Sequence, residues 1–371
     1  MRTVRRLLYR DILGAVAYVT LAFLALFFFI DFVTEVGRAA RRGYTTADAF
    51  MLSLLAVPSN LYELLPISLL IGTVFSLARL AQTSQFTVLR TAGLGPPRAL
   101  GMLAALGAAF ALLTYLVGDH LAPLADQHLQ RLQAGLGVVA RGTTGAWLRD
   151  RRTAAEGEHS ISLQVARAGT EGRFEGIRIF VFDERRRLVE QLEAQHATID
   201  ADATWTLHGV ERSRWPQPDA GGRDSAPVLS DRVDELRWSS GLHAELVTAA
   251  LTPVATMSTL ELWRYMRHLQ AQRQDAQRYQ VQFWRRALYP LACVVMAMLA
   301  LPFAYLHART GGVSARVFGG VMLGAVFLLF NSLAAHLGVL RDWTPWVAAA
   351  LPGALFLTLS LAAFLWLVRY R

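Results

Sequence analysis

Over most of this chain the hydrophobic positions do not recur at helical or strand spacing but fall into long uncharged runs. Segments 12–30, 99–118, 287–306, 317–335 and 343–368 carry no Asp, Glu, Lys or Arg, and 49–78 carries only Glu63. Each comes close to or exceeds the roughly 20 residues that a helix needs to cross about 30 Å of hydrocarbon. Six membrane spans follow, three on each side of a polar insert. The first run, 19 residues long and preceded by Arg2, Arg5, Arg6 and Arg10, is longer than the roughly 7–15 residues of a signal-peptide core, and no clean small-x-small site follows it at once, so it reads as a retained span. In the second, Pro58 and Pro66 predict either a kink or a helix that begins at Pro66. In the fifth, Gly319, Gly320 and Gly324 offer a thin face to another helix or a lipid chain.

Between the third and fourth runs the period changes to two. Ile161, Leu163 and Val165 alternate, 176–182 runs into the charged turn 183–187, and 197–210 and 232–238 predict further strands. PQPDAGGRDSAP (216–227) reads as a loop. The expected fold is an α-helical membrane protein of six transmembrane helices with an all-β, jelly-roll-like domain between the third and fourth. Its parts are 1–130 with three spans, 131–256 with the β-domain, and 257–371 with a polar connector helix and three further spans. A short segment between the second and third spans, QTSQFTVLRTAG (82–93), sets Gln82, Gln85, Phe86 and Leu89 at i, i+3, i+4 and i+7, one face of a small helix that ends at Gly93. From its residues alone it is an amphipathic helix lying on the membrane.

Charge turns this picture into a topology. Segment 119–286 holds 22 arginines and 22 acidic residues, so the net +9 resides in the spans and their short loops. With a cytoplasmic N-terminus, the inner segments carry eleven arginines (2, 5, 6, 10, 79, 90, 98, 309, 316, 369 and 371) and the short outer loops four (38, 41, 42 and 341). The positive-inside rule then puts both termini in the cytoplasm and the insert outside. A sequence pI near 10.3 reports that topology, and gives no support for nucleic-acid binding.

Candidate chemistry is sparse. The chain has no lysine, so it holds no phosphate-binding G-x-x-x-x-G-K-[ST] loop, and ATP, if it drives the protein, is hydrolysed by another chain. No H-E-x-x-H, metal-spaced Cys/His cluster or G-x-S-x-G elbow occurs; His120 and His128 stand alone and read as surface residues. Catalytic and metal sites are therefore expected to be absent. Cys293, inside the fourth span, reads as a small apolar core residue. What stands out is the cluster Arg38, Arg41 and Arg42 at the end of the first span, next to Phe23, Leu24, Leu26 and Phe27–Phe29. Guanidinium groups bind phosphates bidentately, and an apolar wall below them would suit an amphiphile with a phosphorylated head and acyl chains. The plainer reading is a contact with ordinary lipid headgroups.

The run VPSNLYELLPISLLIGTVFSLARLAQTSQFTVLRTAG (57–93) and the later DAQRYQVQFWRRALYPLACVVMAMLALPF (275–303), with the order three spans, β-domain, three spans, resemble the LptF/LptG family, the paired permease subunits of the lipopolysaccharide exporter. The resemblance covers essentially the whole chain. Asp275, Arg278, Tyr279, Gln280, Trp284, Pro290 and 145–147 look more like the LptG branch; the alternative is the LptF branch. The resemblance implies a Gram-negative inner-membrane protein with its β-domain in the periplasm. Its implied partners are an LptF paralogue, an LptB ATPase dimer that binds ATP and Mg, LptC, lipopolysaccharide and membrane lipid. It also implies that 82–93 is the coupling helix, with Gln82, Gln85, Phe86, Leu89 and Arg90 against the ATPase. Lipid would enter where the first span of one permease meets the fifth of the other, bringing Phe23, Phe27 and Phe327 to the lipid.

Two departures from the family pattern matter. Asp31 stands where a lysine is common, and Gln130 and Gln133 stand where two arginines are usual, with Arg131 between them as a candidate substitute after a change of helix register. Gln85 likewise replaces a common glutamate. The β-domain is expected to offer an apolar groove, lined by Ile177, Ile179 and Val181 or by Phe180 and Phe182. Two other classes compete with an export permease. An ion-coupled transporter needs an ionisable group inside its spans, for which only Glu63 is available. A receptor-like membrane protein would use the β-domain to hold a partner.

Overall fold

The structure is a computed structural model. It describes all residues except 1, 84, 92–94, 137–144, 155–156, 169–172, 184, 201–203, 216–227, 241, 252–253, 255, 272–275, 306–311, 342 and 370–371. In chain order the elements are α1 (Arg2–Arg42), α2 (Thr46–Gln82), α3 (Gln85–Thr91), α4 (Pro96–Leu116), a π turn (Val117–Leu121) and α5 (Ala122–Gly135). Then come β1 (Ala146–Ala154), β2 (Gly157–Ala168), β3 (Arg173–Phe182), β4 (Leu188–Ile199), β5 (Thr204–Arg214) and β6 (Leu229–Ser239). The remaining helices are α6 (Ala244–Leu251), α7 (Thr259–Ala271), α8 (Gln277–Leu288), α9 (Leu291–Leu299), α10 (Leu301–Tyr305), α11 (Val313–Leu340) and α12 (Pro345–Arg369). They form two units: Met1–Val139 with Gln277–Arg371, and Ala140–Ala276.

Among the described residues of the first unit, five helices are long and apolar enough to cross a membrane, and a sixth span results if the bent pair Gln277–Leu288 and Leu291–Phe303 is taken as one. α2 is continuous through both Pro58 and Pro66, so no separate helix begins at Pro66. Its N-terminus is set by a capping box: the Thr45 hydroxyl accepts from the Asp48 amide at 3.2 Å, and the Thr45 amide donates to the Asp48 carboxylate at 3.0 Å. A helix apolar on every side belongs in the middle of a bundle. α2 takes that place, with Leu69, Leu70, Val74 and Leu77 buried among residues of α1, α4, α9, α11 and α12. Gly72 lies against Val16 of α1 so closely that a Cβ would come within 2.7 Å. The glycines of the fifth span are covered from within the chain: Gly320 faces Val74 and Gly324 faces Ile67, both on α2.

The second unit is one antiparallel sheet in sequential order β1-β2-β3-β4-β5-β6. Segment 197–210, expected as a single strand, is the β4–β5 hairpin, closed by the Asp200 amide donating to the Thr204 carbonyl at 2.9 Å. One face buries Leu148, Ile161, Leu163, Ile177, Ile179, Leu192, Trp205 and Leu207. The Trp205 indole donates to the Leu242 carbonyl at 3.1 Å. Ile177 and Ile179 are fully covered, so the groove expected along them is closed in this structure. Phe180 points the other way and stacks on Trp147 at 5.9 Å. α7, expected as part of a connector to the fourth span, buries Leu262, Tyr265 and Leu269 and belongs to the sheet unit.

Candidate functional site

The basic cluster sits where α1 turns into α2. Its local frame is a small core of Ala39, Tyr44, Ala49 and Leu52, against which Phe32, Val36, Leu129, Leu132 and Leu136 pack. Gly43, at φ +82°, ends α1, its amide donating to the Ala39 carbonyl at 2.8 Å. Around this frame Arg38, Arg41 and Arg42 line a half-open recess of about 350 Å³. Sequence reasoning missed its counter-charge. Glu35, buried one turn below, accepts from the Arg38 guanidinium at 2.6 Å and from the Tyr44 hydroxyl at 2.8 Å. Burial and that hydrogen bond push the Tyr44 phenol up, so it remains a donor. Arg38 is thereby oriented, while Arg41, whose Nε donates to the Gly37 carbonyl at 3.1 Å, stays exposed at the rim beside Arg42.

Below the rim the wall is aromatic, as expected, but with different members in part. Phe28, Phe32 and Phe50 form a triad with ring separations of 6.2, 5.4 and 6.0 Å. Phe50 comes from α2 and carried no signal in the sequence beyond hydrophobicity. Phe23 is half-buried and Phe27 is 38% exposed. Phe327 is not on this surface: it is 2% exposed and packs edge-on against Phe356 of α12 at 5.1 Å. It belongs to the bundle core, because α11 turns that side toward its own chain. Asp31 accepts from the Asn60 amide at 2.8 Å and so ties α1 to α2. Arg131 is exposed on α5, whose Leu129 and Leu132 join the small core under the recess; its helix therefore ends at the same end of the unit as the three arginines.

At the short helix the structure corrects the predicted face. Gln82 ends α2, Thr83 is its C-cap, and α3 begins only at Gln85. Gln85 is exposed, but Leu89 packs against the bundle core, and the apolar side chain presented outward is Val88, at 64% exposure. The side chains of Phe86 and Arg90, and Gly93 entirely, lie outside the described residues. Glu63, the one carboxylate of the second run, has an exposed side chain rather than a sheltered one. Among the described residues no group of three or more His, Cys, Asp or Glu is arranged to hold a metal.

Apolar spans, an exposed three-arginine recess at the end of the first of them, and an antiparallel sheet inserted between spans in sequence define a polytopic membrane protein with an extramembrane β-domain. A family model described as lipopolysaccharide export system permease LptF/LptG matches residues 6–368. The lipopolysaccharide export system permease protein LptG of Escherichia coli (strain K12) is 28% identical over 337 residues, 90% of this chain and 89% of that protein. Its namesake in Haemophilus influenzae is 23% identical over 363 residues, 97% of each. The chain belongs to the LptF/LptG family of lipopolysaccharide export permeases.

Proposed function

We propose that this chain is the LptG-type permease of an ATP-driven exporter that lifts lipopolysaccharide from the outer leaflet of the inner membrane toward a periplasmic bridge. The named relatives are all LptG, which supports that branch over LptF. The chain pairs with an LptF paralogue. It rests on two LptB subunits that bind ATP and Mg, and works with LptC. Both termini face the cytoplasm and the sheet unit the periplasm, a topology that the arginine distribution supports.

The observation that carries this reading is the Arg38–Arg41–Arg42 recess above an exposed aromatic wall on α1. Phosphates of the lipid head meet the guanidiniums, and acyl chains lie along Phe27 and its neighbours. Each buried CH₂ is worth about 0.8 kcal/mol, so withdrawing several acyl chains from a bilayer costs far more than thermal energy supplies. Hence the need for an apolar cavity to receive them and an ATPase to close it. Val88 and Gln85 on α3 are the contact to that ATPase. The ion-coupled alternative rests on the single carboxylate Glu63, whereas the export reading is supported by the family match over 6–368.

The test is a complex of the chain with LptF and LptB in proteoliposomes, with a photo-reactive residue at Phe27. Lipopolysaccharide crosslinks there and is released on ATP addition. Arg41→Glu with Arg42→Glu lowers the crosslink yield by roughly tenfold or more, because paired charge-assisted contacts are replaced by repulsion. Unchanged crosslinking in the double variant would refute the headgroup role of the recess.

A further inference from the structure

Three departures from regular helix geometry meet at one place in the helical unit. The first is Pro66 in α2, which cannot donate to the Tyr62 carbonyl and loosens that turn. The second is the π turn between α4 and α5. The third is the 51° bend between Gln277–Leu288 and Leu291–Phe303. Two side chains at the bend join all three. Arg286 Nη2 donates to the Gly118 carbonyl in the π turn, and its guanidinium carbon lies 5.7 Å from the centre of the Tyr62 ring. The Tyr289 hydroxyl donates to the Glu63 carbonyl at 2.7 Å, and its ring lies 4.8 Å from that of Tyr62.

The sequence explains why the Gly118 carbonyl is available. The Ala122 amide bonds back five residues to Val117, and the next residue, Pro123, has no amide hydrogen. The carbonyl of Gly118 thus lacks a helical donor, which in a dry environment is costly unless a side chain supplies one. Gly118 must also be glycine, because a Cβ would stand 2.3 Å from the Tyr62 ring.

We infer that Arg286 and Tyr289 are positioning residues of the export cycle: they pin the start of the fourth span to the second and third, so that α2, the π turn and α8 move as one body. α3 follows α2 directly in the chain, so a displacement imposed on α3 reaches α8 through this pin. α8 is in turn the first helix after the sheet unit. The inference rests on the proposed export function for its direction of use, but the pin itself is a property of the helical unit.

The experiment uses the LptF–LptB complex of the full chain, with spin labels at Arg278→Cys on α8 and Leu124→Cys on α5 in a Cys293→Ala background. The unaltered pin gives one narrow label distance, kept when ATP is added. Arg286→Gln broadens it and lowers lipopolysaccharide released per ATP by roughly tenfold, a usual size for a coupling free energy, while ATP hydrolysis is retained. Arg286→Lys, which keeps a charged donor, recovers part of the release. Tyr289→Phe removes only a hydroxyl and carries the same test if Arg286→Gln does not fold. Narrow distances with unchanged release per ATP in both variants would overturn the pin. So would a proportional fall of hydrolysis and release with distances unchanged, which marks a merely structural residue. If the unaltered complex releases no lipopolysaccharide, the export reading fails, and the label distances still decide the pin.

Discussion

The two units of this chain solve opposite burial problems. The helical unit turns Leu329 (71% exposed), Phe29 and Trp366 outward and keeps Ser68, Thr73, Thr114 and Ser360 inside. The sheet unit keeps its apolar side chains in and its charges out. It buries Ile177, Ile179, Trp205 and Leu207, and sets ion pairs such as Arg178–Glu193 at 2.7 Å on its exposed side. Lipid is as apolar as leucine, so helices in it gain little from hiding apolar side chains and associate through close packing. The sheet is held by the ordinary removal of apolar surface from water. One sequence therefore contains two rules for what an interior is.

That contrast can be broken at a single side chain in each unit. The largest expected effect is in the sheet: Trp205→Ala leaves a cavity beside Phe174 and Trp238 and orphans the Leu242 carbonyl, a loss of about 3–5 kcal/mol. Hydrogen exchange should rise in peptides from β4–β6 and stay level in the helices. A smaller effect is expected at Gly107, where a Cβ would come 2.7 Å from the Val294 backbone of α9. Gly107→Ala forces α4 and α9 apart at about 1–3 kcal/mol, read as earlier thermal unfolding in detergent with sheet exchange unchanged. A single melting transition lowered equally by both variants would mean that the two units are not independently stabilised.

The smallest effect is a pH dependence confined to the sheet unit. Burial pushes the His268 imidazole below the usual 6.5, opposed by the nearby Asp150 carboxylate. The folded state then binds fewer protons than the unfolded one. Its stability is full above pH 6.5 and falls as the pH drops through the lowered folded value. His268→Gln should flatten the pH dependence of exchange in α7 between about pH 5 and 7. An equally steep dependence in the variant would assign the effect to another group.

The same contrast explains what could be read in advance. Spans were legible because hydrocarbon thickness imposes their length, and the arginine cluster because charge at a span end is conspicuous. The facing of Phe327 was not, since a helix apolar on all sides has no phase from which to tell core from lipid. Leu89 is a related case: its spacing puts it on one face with Gln85 and Phe86, but cannot show that the bundle core of the same chain takes it and leaves Val88 outward. In the sheet, β-forming residues on both sides of 200–203 hid the hairpin, and the alternation of Ile177 and Ile179 showed an apolar face without showing that it is covered. Glu35 was invisible as the partner of Arg38 and Tyr44, because only the folded turn brings Tyr44 back over it.

The π turn also acts as a phase setter for everything that follows it in the third span. One residue of an α-helix corresponds to about 100° of rotation, so a helix that gains or loses a residue at 117–121 presents a different side beyond it. Leu129 and Leu132 meet the small core under the recess, and Arg131 stays clear of it, only in the present phase. A one-residue deletion in the turn would alter no charge and no apolar total, yet would swing Arg131 around its helix and take the leucines off their seat. The address of the basic rim is thus written partly in a backbone irregularity, at a distance from any arginine.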